Sequence, residues 1–212
     1  MQGLVLVDKP AGPSSFAVVQ ELRSRYGVKA GHAGTLDPLA SGLLLVVLGS
    51  ATRLARYLVG LDKRYETEIR LGLRTTTGDG EGEVVEETPL ASLEEIEALE
   101  GEIELRVPRA SAVKIEGERA YKLQRRGVAV EMPIRRSTIH DLRVVRYEPP
   151  LVELDLKVSS GTYIRAIADR RSRSRQRIEQ RFSAATLAVQ RRAREAGGAR
   201  ESRHRETLGS MR

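Results

Sequence analysis

The sequence predicts α and β elements combined in one main domain, on three observations. Residues 63–71 alternate strictly, setting Tyr65, Thr67, Ile69 and Leu71 against Arg64, Glu66, Glu68 and Arg70, the period of a half-buried strand. Three further runs, 130–138, 142–147 and 151–158, follow one another as successive strands; in the last, Val152, Leu154, Leu156 and Val158 share one face. Elsewhere the chain carries helix punctuation. Ser14-Ser15 precede Phe16, Val19 and Leu22 at helical spacing, Gly27 stops that helix after Tyr26, and Ser92 with Glu95 forms a capping box for a helix through about residue 99. At 212 residues the chain can bury a sizeable core without staples.

The elements follow in order. Residues 3–8 (GLVLVD) form a short apolar strand ending at Lys9-Pro10, and Gly12-Pro13 marks a turn before the first helix. Residues 31–42 (GHAGTLDPLASG) hold three glycines and a proline, which excludes a long uninterrupted helix and makes a shaped loop. Its one acid, Asp37, sits between Leu36 and Pro38, with His32 nearby; on spacing alone Asp37 is either a turn residue or a carboxylate whose surroundings are controlled. Residues 43–48 are a continuous apolar strand, followed after Gly49 by a short helix through about residue 59. Residues 75–82 (TTTGDGEG) are a polar turn whose Asp79 and Glu81 lack EF-hand spacing. Residues 108–115 and 117–127 carry Lys114, Arg119, Lys122, Arg125 and Arg126 interleaved with Tyr121, either a solvated face or a phosphate-contacting patch. SGTYIR, residues 160–165, leads from the last strand into a helix.

Composition bounds the chemistry. There is no cysteine, which excludes disulfides, zinc-thiolate sites and a cysteine nucleophile, and the three histidines (His32, His140, His204) show no metal-ligand spacing. A metal-dependent hydrolase is poorly supported, since Asp37, Asp79 and Asp169 lie in separate motifs. No apolar run approaches the ~20 residues of a membrane helix, and Met1-Gln2 leads into a strand-like run and not a signal peptide, so a soluble cytoplasmic protein is expected. The net charge of +7 is unevenly placed. Of 36 basic residues, 13 (all arginine) fall in 170–212, leaving 23; of 29 acidic residues, 4 do, leaving 25. The basic balance therefore belongs to the tail, and RNA binding by residues 1–169 must rest on local patches.

GHAGTLDPLASG strongly resembles the catalytic-loop signature of the bacterial tRNA pseudouridine-55 synthases, the TruB family. Lys63-Arg64-Tyr65 resembles the family's K-x-Y segment, S-A-x-K-x-x-G-x-R-A-Y-x-L-x-R-R-G its mobile RNA-gripping insertion, and SGTYIR a further family signature, all in the expected order. The resemblance covers about residues 3–169. It implies an α+β pseudouridine-synthase fold: a mixed, largely antiparallel sheet flanked by helices, the active cleft crossing the sheet, with the insertion at about 108–135.

The resemblance also implies roles. Asp37 acts on the target nucleotide, Arg165 pairs with it, and Tyr65 stacks on the base, a job an aromatic face does for any base at ~1–3 kcal/mol. Tyr65 is otherwise a core aromatic. Tyr163 packs against the base site, and Lys9 beside Pro10 helps shape the pocket, against the bland reading of a solvated lysine. His32 is a wedge filling the space a flipped nucleotide vacates, or else a hydrogen-bonded loop histidine. Lys114, Tyr121 and Arg126 grip RNA. The partner implied is the T-arm stem-loop of tRNA, with no cofactor, no metal and no obligate protein partner; a monomer is expected. Guide-dependent relatives from archaea and eukaryotes are a second enzyme reading, opposed by the compact N-terminus and the bacterial-looking insertion.

After Asp169 the family pattern continues with a helix, another strand and a small RNA-binding domain, whereas residues 170–212 run as RRSRSRQR and RRAREAGGARESRHRE. Arginine without lysine there suggests out-of-frame translation of a GC-rich gene, an idea that resequencing the locus would sink by confirming the frame. A genuine basic tail that binds RNA nonspecifically is the rival. Either way residues 1–169 are expected to lack part of their C-terminal packing, with exposed apolar surface. That makes a noncatalytic tRNA-binding or tRNA-folding module the alternative function.

Overall fold

The computed structural model describes residues 1–168 and the backbone of Ala184–Ala185. The expectations about the tail lie outside the described residues. Strand β1 (Gly3–Lys9) alternates, so that Val7 and Lys9 are buried while Leu4, Leu6 and Asp8 face out. Helix α1 (Ser15–Tyr26) begins where the Ser14 hydroxyl accepts from the Ala17 N–H at 3.1 Å and ends at Gly27, whose φ of 61° is left-handed and whose N–H donates to the Arg23 carbonyl. Its buried stripe is Ser15, Val18, Val19 and Leu22. Phe16, expected on that stripe with Val19 and Leu22, is 61% exposed, because the first turn is docked through Ser15 and the neighbouring side chain points away.

Strands β2 (Ala30–His32) and β3 (Gly42–Leu48) complete an antiparallel sheet of order β1-β3-β2. The central strand is covered on both faces, which is why its sequence is an apolar run and not an alternation. The expected loop of residues 31–42 is therefore shorter at both ends, since His32 and Gly42 are ladder residues. The following segment is a 3-10 turn (Gly49–Leu54) running into the single-turn helix α2 (Ala55–Leu58).

Strand β4 (Lys63–Leu71) buries Tyr65, Thr67, Ile69 and Leu71, as its alternation requires. Strands β5 (Leu73–Thr75) and β6 (Val84–Glu87) make a hairpin around the polar turn. Helix α3 (Leu93–Glu97) has the reciprocal capping box: the Ser92 hydroxyl accepts from the Glu95 N–H and the Glu95 carboxylate from the Ser92 N–H. Strand β7 (Gly101–Arg106) was not anticipated, although Ile103 and Leu105 alternate with glutamates. Strands β8 (Lys114–Ile115) and β9 (Glu118–Arg119) and helix α4 (Ala120–Arg125) fall within residues 108–135.

Strand β10 (Ile134–Glu148) replaces the two separate strands expected at 130–138 and 142–147. Register shifts between Ile139 and Asp141 and between Val144 and Arg146 keep a single 15-residue strand paired across its irregularities. With β11 (Leu151–Val158) and the two-residue β12 (Ala184–Ala185), the second sheet has the order β12-β4-β11-β10-β7. Helix α5 (Ile164–Ala168) follows β11. The fold is α+β, and every described ladder is antiparallel. One apolar cluster joins both sheets, with Leu44, Val46 and Leu48 of β3, Val18 and Leu22 of α1, Ile69 of β4, and Leu154 and Leu156 of β11. Among the described residues no helix is long and apolar enough to cross a membrane.

The other face of the second sheet is tied by charge. Asp155 on β11 accepts from Arg64 Nε and Nη2, both at 2.7 Å, and from Arg143 Nη2 at 3.3 Å. The Arg64 hydrogen bonds hold its carboxyl below the ordinary range, against the opposing effect of burial. A depressed folded value means the stabilisation is complete above the unfolded value near ~4 and fades as pH falls through the folded one. Asp155→Asn is expected to lower stability by about 1–2 kcal/mol at pH 7 in urea denaturation, the solvent-facing arginines keeping the loss below that of a fully buried pair. The gap should close in acid; a gap that persists there would count against the ion pair as its source.

Candidate active site

Asp37 lies in a loop whose backbone is pinned at nearly every step. Gly34, at φ 133°, makes a bend that L side chains resist, and a Cβ there would meet Lys63 Cε at 3.3 Å. The Ser15 hydroxyl donates to the Leu36 carbonyl and accepts from the Leu36 N–H, both at 2.9 Å, fixing the residue before Asp37 to the start of α1. The Gly12 N–H donates to the Pro38 carbonyl at 2.8 Å, and the Ala40 N–H closes a turn on the Asp37 carbonyl at 3.0 Å. The Asp37 side chain keeps 35% of its surface exposed. A carboxylate held this rigidly, yet reachable, is preorganised.

Lys9 does much of this work. It is fully buried, and its ammonium donates to the carbonyls of Ala40 (2.6 Å), Pro10 (2.8 Å) and Pro38 (3.2 Å), which accounts for all three N–H groups. Burial pulls its pKa below the ordinary lysine value and the Asp37 charge pushes the other way. The solvated-lysine reading does not hold. Lys9→Met would leave three carbonyls short of a donor and is expected to cost about 2–4 kcal/mol, measured by urea denaturation. A loss below half a kcal/mol would mean that water replaces the ammonium freely.

Arg165, in the first turn of α5, is placed by the hydroxyl-rich turn before it. The Ser159 N–H bonds the Thr138 carbonyl of β10, and the Thr162 N–H and hydroxyl both return to the Ser159 carbonyl. The guanidinium, 6% exposed, grips Asp37 with two prongs, Nε to Oδ2 at 2.8 Å and Nη2 to Oδ1 at 3.1 Å. Its remaining donors reach the Ala110 carbonyl (3.1 Å) and the Thr77 carbonyl (2.9 Å), with Asp79 Oδ2 3.7 Å away.

Asp79 is the residue that sequence reasoning missed. Only 5% exposed, it accepts from the Thr77 hydroxyl and the Glu81 N–H and presents a second carboxylate to Arg165. The polar turn is thus the outer wall of the Asp37–Arg165 pair. The one available signal was an acid flanked by glycines on both sides, which marks a shaped turn but names no partner.

The remaining candidates fall into two groups. His32 sits on β2 opposite Val46, partly buried, with its Nδ1 buried and lacking a partner among the described residues. Burial lowers its pKa, opposed by a backbone hydrogen bond at Gly34. Tyr65 is 6% exposed inside the main core, opposite Leu156. Tyr163, half-buried, bridges the main core and a small cluster of Val107, Ala120 and Met132. Within residues 108–135, Lys114 is exposed, the Arg125 guanidinium lies 5.7 Å from the Tyr121 ring, and Arg126 pairs with Glu118 at 2.6 Å. The segment 108–135 meets the Asp37–Arg165 pair through the Ala110 carbonyl.

A family model described as TruB family pseudouridylate synthase (N terminal domain) matches residues 22–164. The chain is similar to tRNA pseudouridine synthase B of Marinomonas sp. (strain MWYL1), 47% identical over 176 residues, covering 80% of this chain and 57% of that protein. It is 49% identical over 178 residues to the protein of the same name from Mycobacterium sp. (strain KMS), covering 78% and 60%. Among solved structures, a Cbf5-Nop10-Gar1 complex contains a chain with TM-score 0.56 and 30% identity, covering 78% of this chain and 42% of that one. An H/ACA RNP bound to a substrate RNA containing 2'-deoxyuridine gives TM-score 0.53 and 27% identity, covering 78% and 41%. The chain spans about three fifths of the length of the curated relatives it matches.

Proposed function

Because the chain belongs to the TruB family of pseudouridylate synthases, we propose that it isomerises uridine 55 in the T-loop of tRNA to pseudouridine. The observation that carries this reading is the two-pronged Asp37–Arg165 pair on a pinned loop, with the carboxylate still partly exposed. The isomerisation breaks the N1–C1' bond, forms a C5–C1' bond, and moves a proton from C5 to solvent while N1 gains one. Its balance needs no oxidant, reductant or group donor.

The target base must first leave its stack, at a cost of a few kcal/mol, and His32 fills the space left behind. A neutral imidazole suits that position, because burial lowers its pKa. Asp37 drives cleavage of the glycosidic bond. Arg165 fixes both carboxylate oxygens in direction, and Lys9 fixes the backbone on which they ride. Tyr65 stacks on the detached base and assists removal of the C5 proton, while Tyr163 walls the pocket. Lys114, Tyr121 and Arg126 contact the RNA backbone and so position it without reading bases. In this reading residues 1–169 form the catalytic unit, with the insertion at about 108–135, working in the cytoplasm as a monomer without an obligate protein partner.

The test is tritium release from a T-arm stem-loop labelled at carbon 5 of uridine 55. Release approaching one equivalent per RNA is expected. RNA bound by a folded chain without release would refute the synthase reading and leave a noncatalytic tRNA-binding module.

A further inference from the structure

A cavity of about 340 Å³, near the lower end of the ~300–1,000 Å³ typical of ligand sites, has Arg165 but not Asp37 in its lining. The β5 strand and the turn after it form one wall; the end of β7, Pro108-Arg109 and Gln124 of α4 form the other. Four arginines line it, Arg74, Arg106, Arg109 and Arg165, and no acidic residue is among its lining. Arg165 has its donors committed to Asp37, Thr77 and Ala110 and its charge neutralised by Asp37 and Asp79, so it contributes neither hydrogen bonds nor surplus charge. Arg74 is partly neutralised by Glu86 at 2.8 Å. Arg106 reaches the Met132 carbonyl and stands 3.9 Å from Glu131, whose side chain is 91% exposed, while Arg109 makes no ion pair among the described residues. The positive charge left to the cavity is therefore that of Arg109 and the loosely paired Arg106, in a partly enclosed space where it is screened less than on an open surface. Across it, Gln124 Nε2 touches the Thr76 carbonyl at 3.5 Å, a weak contact between the insertion and the turn that carries Asp79.

We propose that this cavity takes a backbone phosphate of the bound RNA, held by Arg106 and Arg109, and that the phosphate draws the insertion onto the 75–82 turn behind Arg165. The proposal deepens the RNA-modifying reading above and rests on it. A phosphodiester fits this chemistry: its two free oxygens can each take a guanidinium, and the lining also offers the apolar Val85, Val107 and Met132. RNA binding would then reinforce the contacts that set Arg165, and through it Asp37.

The full chain and a T-arm stem-loop serve as the test, with affinity measured by fluorescence anisotropy over a salt series. The double variant Arg106→Gln/Arg109→Gln is compared with Arg25→Gln, which removes one charge from α1 outside the cavity. The double variant should bind about tenfold more weakly, and its log–log salt slope should fall by between about one and two. An effect no larger than that of Arg25→Gln, in a chain that binds RNA, overturns the proposal and leaves the enzyme reading intact. If the wild-type chain binds no RNA, the enzyme reading fails with it. In that case thermal stabilisation by inorganic phosphate, lost in the double variant, would assign the cavity to a free anion and overturn the RNA assignment.

Discussion

Asp37→Asn is expected to abolish tritium release, a loss of at least about a thousandfold, while stem-loop affinity stays within about twofold. The reasoning begins with the local geometry. The backbone around Asp37 is held by Lys9, Gly12, Ser15 and Ala40 and not by the Asp37 side chain, so the isosteric amide leaves the loop in place. The carboxylate is also 35% exposed, so the amide is not forced into a dry interior. What the substitution removes is negative charge, and with it any capacity to attack or to accept a proton. One amide oxygen still accepts from Arg165, but the amide nitrogen then faces the other guanidinium donor, a repulsive contact the side chain relieves by rotating. Single-turnover release read beside anisotropy separates the two effects. Detectable product from the variant would refute the assignment of Asp37; lost RNA binding would mean that its charge organises the surface and not the chemistry.

The parts of the fold that were legible are those with a local cause. The capped helix α1, the alternating β4, the apolar β3 and the capping box of α3 each announce themselves within a dozen residues. What failed needed information from elsewhere in the chain. The bulges of β10 look like a break between two strands, because only pairing with β11 shows that the ladder resumes. Phe16 leaves the buried stripe and Ser15 enters it because docking to Leu36, not periodicity, sets the rotation of α1. In the site, Asp37 and Arg165 are 128 positions apart, and only the family motifs suggested their pairing. Asp79 stayed a turn residue, because the likeness of its turn to an acidic loop of the family names no partner for it. The same limit applies to Lys9: no feature of VDKPAG tells whether its ammonium points to water or to three carbonyls.

Arg165→Met should be the more damaging change for the fold and nearly as damaging for turnover. The guanidinium is 6% exposed between Asp37 and Asp79, and it satisfies the carbonyls of Thr77 and Ala110. Removing it leaves Asp79, itself 5% exposed, with its nearest cation gone, and breaking a buried pair in this way costs about 3–5 kcal/mol. Turnover should fall by about a hundredfold or more, because Asp37 would keep its loop but lose the fork that aims it. Arg165→Lys separates charge from geometry. An ammonium on a flexible stem restores the positive charge near both acids but cannot offer two parallel donors to one carboxylate while reaching two carbonyls. Stability measured by urea denaturation should therefore recover most of the loss in the lysine variant, while single-turnover rate should remain at least about tenfold below wild type. If the rate recovered together with stability, positive charge alone would suffice, and the two-pronged geometry would have no part in positioning Asp37. If neither recovered, the bonds to Thr77 and Ala110 would be the dominant contribution, and Arg165 would be a clamp between the polar turn and the insertion first, and a partner of Asp37 second.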